Sequence, residues 1–164
     1  MRQILSTNIA ALVARVLKDT GLDPSLLELE ITESLFLKNA EHGIKALRDL
    51  KAQGVKLAID DFGTGYSSLT YIKQFPVDIL KIDRSFIRDI TEDPANGAII
   101  PAIIAMGQGL NLEVVAEGVE NEIQRSYLSS LGCDSFQGYF FSKPLPAKEI
   151  TTLLRRVEPV SQIH

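Results

Sequence analysis

The chain has 164 residues, 45% of them apolar, enough for one domain with a sizeable core. Its 21 acidic against 17 basic residues give a formal net charge of −4, which excludes a general electrostatic affinity for nucleic acid or anionic membrane surfaces. The single cysteine, Cys133, excludes an internal disulfide and favours a reducing cytosol; no apolar run approaches the ~18 residues of a membrane span, and the first residues do not read as a signal peptide.

Ile9, Leu12, Val13, Val16 and Leu17 recur at helical spacing and predict a helix over 6–20, stopped by Gly21 and Pro24. Alternation over 26–31 predicts a strand, followed by a helix over 39–52 closed by Gly54. The β-branched run over 55–59 reads as the next strand, and a short helix over 67–73 is cut by Pro76. A strand over 77–82 precedes a helix over 94–108, with Pro94 suited to its first turn. The alternation ends with a strand over 112–116, a helix over 121–131 with Asn121 as candidate cap, a strand over 135–140 and a helix over 146–156. Residues 158–164 have little to bury and read as a flexible tail. One helix followed by five strand-then-helix units predicts an α/β domain, a parallel sheet covered by helices.

The strands end alike. E-I-T-E (Glu30 to Glu33), D-D-F-G-T-G (Asp60 to Gly65), K-I-D (Lys81 to Asp83), E-G-V-E (Glu117 to Glu120) and Gln137-Gly138 close strands one to five. In a parallel sheet all these ends lie on one rim, the rim where α/β folds place their chemistry. A lone carboxylate at a strand end is more often a helix cap or a solvated charge. Glu33, Asp83 and Glu120 read as caps or as supports behind the site, and Lys81 as an ion-pair partner of Asp60 in the plainest case. Cys133 reads as a small buried hydrophobe, and His42 and His164 as inert. Convergence of five strand ends favours a site for Glu30, Asp60, Asp61, Lys81, Glu117 and Gln137. Several carboxylates, one amide and one lysine suit hard divalent cations such as Mg²⁺ or Mn²⁺. Adjacent Asp60 and Asp61 suit two ions ~3.5–4 Å apart, the spacing used for displacement at phosphorus. Gly63 and Gly65 allow a mobile or tightly turned loop beside them.

Five strings occur in order: L-E-L-E-I-T-E-S, L-A-I-D-D-F-G-T-G-Y-S-S-L, L-K-I-D-R-S-F-I, V-V-A-E-G-V-E and F-Q-G-Y-F-F-S-K-P-L-P. Together they resemble the EAL domain family of bacterial cyclic di-GMP phosphodiesterases, from about Thr20 to Arg156. The resemblance implies a (βα)₈-type barrel that opens cyclic di-GMP to linear pGpG with two Mg²⁺ or Mn²⁺ ions. By position it implies Glu30, Asp60 and Glu117 as metal ligands and Asp61 as a ligand of the second ion. It implies that Lys81 orients or activates the attacking water and that Gln137 holds a metal-bound water. Glu33 would anchor the loop of Phe62, Gly63, Thr64, Gly65, Tyr66, Ser67 and Ser68, which in this family couples the site to a dimer interface.

The family's Glu-Ala-Leu motif, and a later asparagine motif, each supply a metal ligand upstream of these strings, and neither occurs in the sequence. The expectation is therefore a partial barrel over 1–157, one helix and five βα units, without the first three strands of the family fold. A barrel typically needs ~250 residues. Two functions of different class follow: metal-dependent hydrolysis of cyclic di-GMP, or a non-catalytic module that binds cyclic di-GMP or pairs through its loop. Expected partners are cyclic di-GMP, a second copy of the chain, and an upstream sensor or GGDEF domain in a longer parent, with no DNA or RNA polymer.

Overall fold

The computed structural model describes residues 9–32, 40–63, 72–88, 90 and 94–156. Helix α1 (Ile9–Thr20) and a short 3₁₀ turn (Pro24–Leu26) lead into strand β1 (Glu28–Thr32), helix α2 (Ala40–Lys51) and strand β2 (Lys56–Phe62). Strand β3 (Ile79–Ile82) is followed by a short helix α3 (Arg84–Arg88) and a long helix α4 (Pro94–Gly109). Strand β4 (Glu113–Glu117), helix α5 (Glu122–Ser130), strand β5 (Ser135–Gln137) and helix α6 (Ala147–Arg156) complete the described elements.

The five strands form one parallel sheet in the order β1-β2-β3-β4-β5. Neighbours in sequence are neighbours in space throughout, without the reversal of a doubly wound sheet. The arc is that of a barrel.

Pleating sends alternate side chains to opposite faces. On one face, Ile31 and Leu57 meet Val13 and Leu17 of α1 and Leu47 and Leu50 of α2. Further along, Ile59, Leu80, Ile82, Val114 and Ala116 pack under Ile100, Ile103 and Ile104 of α4 and Leu128 of α5. The opposite face carries Glu30, Asp60, Lys81 and Glu117.

Several sequence expectations shift. Pro24–Leu26 is a 3₁₀ turn capped by Asp23, so the first strand begins at Glu28. The last strand ends at Gln137 and not at Phe140, because Phe140 and Phe141 turn back: their amides donate to Val119 O and Gly138 O. Helix α3 was not expected; Asp83 caps it, accepting from Ser85 N at 2.9 Å. Asn121 caps α5 as expected, in a reciprocal box with Gln124. The expected helix over 67–73 lies outside the described residues save 72 and 73, as do residues 6–8 and the tail over 158–164.

Candidate metal centre

Lys81 stands at the middle of the inner face, its side chain only 5% exposed. Its Nζ donates to Glu30 Oε1 on β1, lies 2.5 Å from Glu117 Oε1 on β4, and 3.8 Å from Asp60 Oδ1 on β2. Four strands thus contribute to one charged knot. The ion pair with Asp60 is present as expected, but Glu30 and Glu117 hold Lys81 more closely. Burial by itself would lower Lys81, but hydrogen bonds from Nζ to Glu117 and Glu30 outweigh it and hold the ammonium well above the ordinary lysine range.

Adjacent strand residues should point to opposite faces, so Asp60 and Asp61 should not share a site. A break in register between Ile59 and Phe62 resolves this. Both Ile59 and Phe62 lie in the helix-side core although they are three residues apart. Asp61 itself takes the left-handed conformation, φ 54°, which aspartate tolerates better than most residues. One oxygen each from Asp60, Asp61 and Glu117 lies within 4.8 Å of the others.

The electrostatics suit a divalent cation. Asp60 Oδ1 is buried and accepts no hydrogen bond among the described residues. Burial pushes the Glu117 carboxyl up, with Asp60 and Glu30 adding to it against the opposing pull of Lys81. Desolvation, then the charges of Asp60 and Asp83, push Asp61 up as well. Asp83 runs the other way: burial would raise it, but Ser85, Asp61 and the Arg84 amide donate to it and lower it. Asp83 is therefore both a helix cap and a partner of Asp61. Oxygen donors crowded to the point of mutual repulsion, one of them unsatisfied, are the donor set a hard divalent ion binds.

Gln137 is paired in register with Glu117, at the end of β5. A cavity of about 220 Å³ adjoins them, lined also by Arg84, Gly118, Glu120, Gly138 and Tyr139. Arg84 and Tyr139 are not among the residues expected from sequence; each lies two residues beyond a strand end, the position that marks them. Gly118 (φ 72°) has its Cα against Arg84, where an added Cβ would come within 2.6 Å of the arginine Cβ. Glu120 is exposed on the rim. Phe62 is buried and Gly63 exposed, whereas Glu33, Thr64, Gly65, Tyr66, Ser67 and Ser68 lie outside the described residues. Cys133 is buried as expected.

The family model described as "EAL domain" matches residues 2–144. The signaling protein YkoW of Bacillus subtilis is 47% identical over 161 residues, which is 98% of this chain and 20% of that protein. The bifunctional diguanylate cyclase/cyclic di-GMP phosphodiesterase MucR of Pseudomonas aeruginosa is 49% identical over 130 residues, 79% of this chain and 19% of that protein. The chain thus spans about a fifth of the length of these curated relatives. Among solved structures, a PaMucR phosphodiesterase in complex with c-di-GMP superposes with a TM-score of 0.87 at 45% identity, covering 90% of this chain and 60% of that one. A manganese/cyclic di-GMP complex of Klebsiella pneumoniae BlrP1 superposes with a TM-score of 0.78 at 35% identity, covering 85% of this chain and 36% of that one.

Proposed function

The chain belongs to the EAL domain family, and on that premise we propose that it carries the strand-end rim of a metal-dependent phosphodiesterase acting on cyclic di-GMP to give pGpG. The observation that carries this reading is the meeting of Asp60, Asp61 and Glu117 around an unsatisfied, buried Asp60 oxygen. Asp60, Asp61 and Glu117, with Glu30 beside them, would hold two Mg²⁺ or Mn²⁺ ions. The chemistry such ions supply is polarisation of the phosphoryl oxygens and a lowered pKa for bound water. The manganese and cyclic di-GMP complex of BlrP1 supports both the ion class and the ligand.

The chain's own residues do the rest. Lys81 enters as an ammonium, because its carboxylate neighbours hold its proton firmly. It donates to an attacking water or offsets charge developing on the phosphoryl group; it does not take a proton. Gln137 presents an amide at the mouth of the site, able to donate to and accept from a water. We assign the segment from Phe62 to Ser68 to substrate contact and pairing with a second copy, with Glu33 as its anchor. Asp83 and Glu120 support the ligands from behind and from the rim.

The experiment is incubation with cyclic di-GMP and Mg²⁺ or Mn²⁺ followed by chromatography. We expect pGpG from this chain and none from Glu30→Ala. No product above that control sinks the hydrolytic reading for this chain. A second reading is binding without turnover in a regulatory module; retained cyclic di-GMP binding without pGpG would select it. A GGDEF partner domain in a longer parent is supported by the bifunctional cyclase/phosphodiesterase relative. No helix among the described residues is long and apolar enough to cross a membrane.

A further inference from the structure

Gln124, on the first turn of α5, is only 5% exposed, and its amide is used at both ends. The oxygen accepts from Glu120 N at 2.7 Å and from Asn121 N at 3.3 Å. The nitrogen donates to Ile87 O at 3.2 Å and Arg88 O at 3.5 Å, on the last turn of α3. A capping box accounts for the bond to Asn121 and nothing more. The other contacts reach outside α5. They join the turn that follows Glu117 to the helix that follows Lys81.

From that turn the tie continues to β5. Val119 is fully buried; its N–H donates to Gln137 O at 3.0 Å, and its carbonyl accepts from Phe140 N at 3.0 Å. Gly138 passes so close that an added Cβ would lie 2.1 Å from Val119 O. The ends of β3, β4 and β5, which carry Lys81, Glu117 and Gln137, are therefore linked by one amide and one buried turn. We propose that Gln124 is a positioning residue of the site: acting through the β4–α5 turn, it sets Glu117 and Gln137 in place against Lys81. The inference rests on the divalent-cation reading above. Glutamine is required because both a donor and an acceptor are needed at one buried point. Glutamate keeps the acceptor for Glu120 and Asn121 and loses the donor; leucine loses both.

The test titrates Mn²⁺ into wild type, Gln124→Leu, Gln124→Glu and Leu17→Ala, below the melting temperature of each. Leu17→Ala is a control, a buried residue of α1 in the other core cluster that lowers stability without touching the rim. Amide hydrogen exchange at Val119, Glu120, Asn121 and Phe140 is measured in parallel. We expect Gln124→Leu to weaken Mn²⁺ binding about tenfold or more, within the range for groups that orient ligands from behind. Gln124→Glu should recover part of that loss, and Leu17→Ala should bind as wild type. A folded Gln124→Leu that binds Mn²⁺ like wild type, or whose four amides exchange like wild type, overturns the inference. If wild type itself binds no Mn²⁺, the cation reading fails and exchange alone decides. Faster exchange at the four amides in Gln124→Leu, but not in Leu17→Ala, would still support the tie, and equal exchange would refute it.

Discussion

Lys81 stands where Glu30, Asp60 and Glu117 would otherwise repel one another, and it is the most buried charge of the site. Replacing it by methionine leaves those carboxylates facing each other with their desolvation unopposed. Urea unfolding of Lys81→Met at pH 7 should show a loss of about 3 kcal/mol. The loss should shrink as pH is lowered, because burial already pushes the Glu117 carboxyl up and its protonation relieves the repulsion; a variant as stable as wild type throughout would show that the knot is solvated and weak. Cys133 provides a second single-residue test. Burial pushes its thiol up from 9.0 to about 11. Between these values the unfolded chain releases a proton that the folded chain keeps, so the thiol costs stability as pH rises from 9 to 11. The stability of wild type relative to Cys133→Ala should fall across that window. A flat difference would mean that the thiol is accessible to water.

At the scale of elements, the site depends on local departures from regular strands. The bulge in β2 brings Asp60 and Asp61 to one side, and the tight pass of Gly138 under Val119 fixes the end of β5. Gly138→Ala would force backbone apart at a buried position and should cost about 3 kcal/mol, read as a drop of several degrees in thermal unfolding. A melting temperature within a degree of wild type would mean that the turn yields freely. These departures also mark what the sequence could not tell. The strand-helix alternation was legible because β-branched runs are separated by Gly and Pro, and the convergence of Glu30, Asp60, Lys81 and Glu117 followed from parallel strands alone. The bulge was not legible, since D-D-F-G reads the same in a regular strand. Helix α3 is only five residues long, too short for a period to show, although Asp83 and Ser85 carried a capping signal. The strand expected over 135–140 stops at Gln137, because the close turn at Gly138 overrides the strand propensity of Tyr139 and Phe140. Gln124 was half visible: a cap at Asn121 with glutamine three residues on is a capping box, but its reach to α3 is tertiary.

Across the whole molecule, the described sheet leaves one edge of β1 and one edge of β5 without a strand partner. Beyond β5, Tyr139, Phe140, Phe141 and Leu145 are exposed, and Leu154 on α6 is 66% exposed. Open edges beside apolar side chains favour pairing with another chain. Light scattering should show concentration-dependent self-association of this chain; a monomer at every concentration would contradict it. The groups around Lys81 come from strands β1, β2 and β4, and of these Asp60 has a buried oxygen that accepts no hydrogen bond among the described residues. Titration of Mn²⁺ by calorimetry into wild type and Asp60→Ala therefore tests the central claim most directly. Wild type should bind, with affinity weakened at least about tenfold in Asp60→Ala and falling as pH is lowered, because proton and metal compete for the Asp61 and Glu117 carboxyls, both pushed up. Absence of Mn²⁺ binding to wild type, or equal binding by both proteins, would contradict the assignment of this rim as a metal centre.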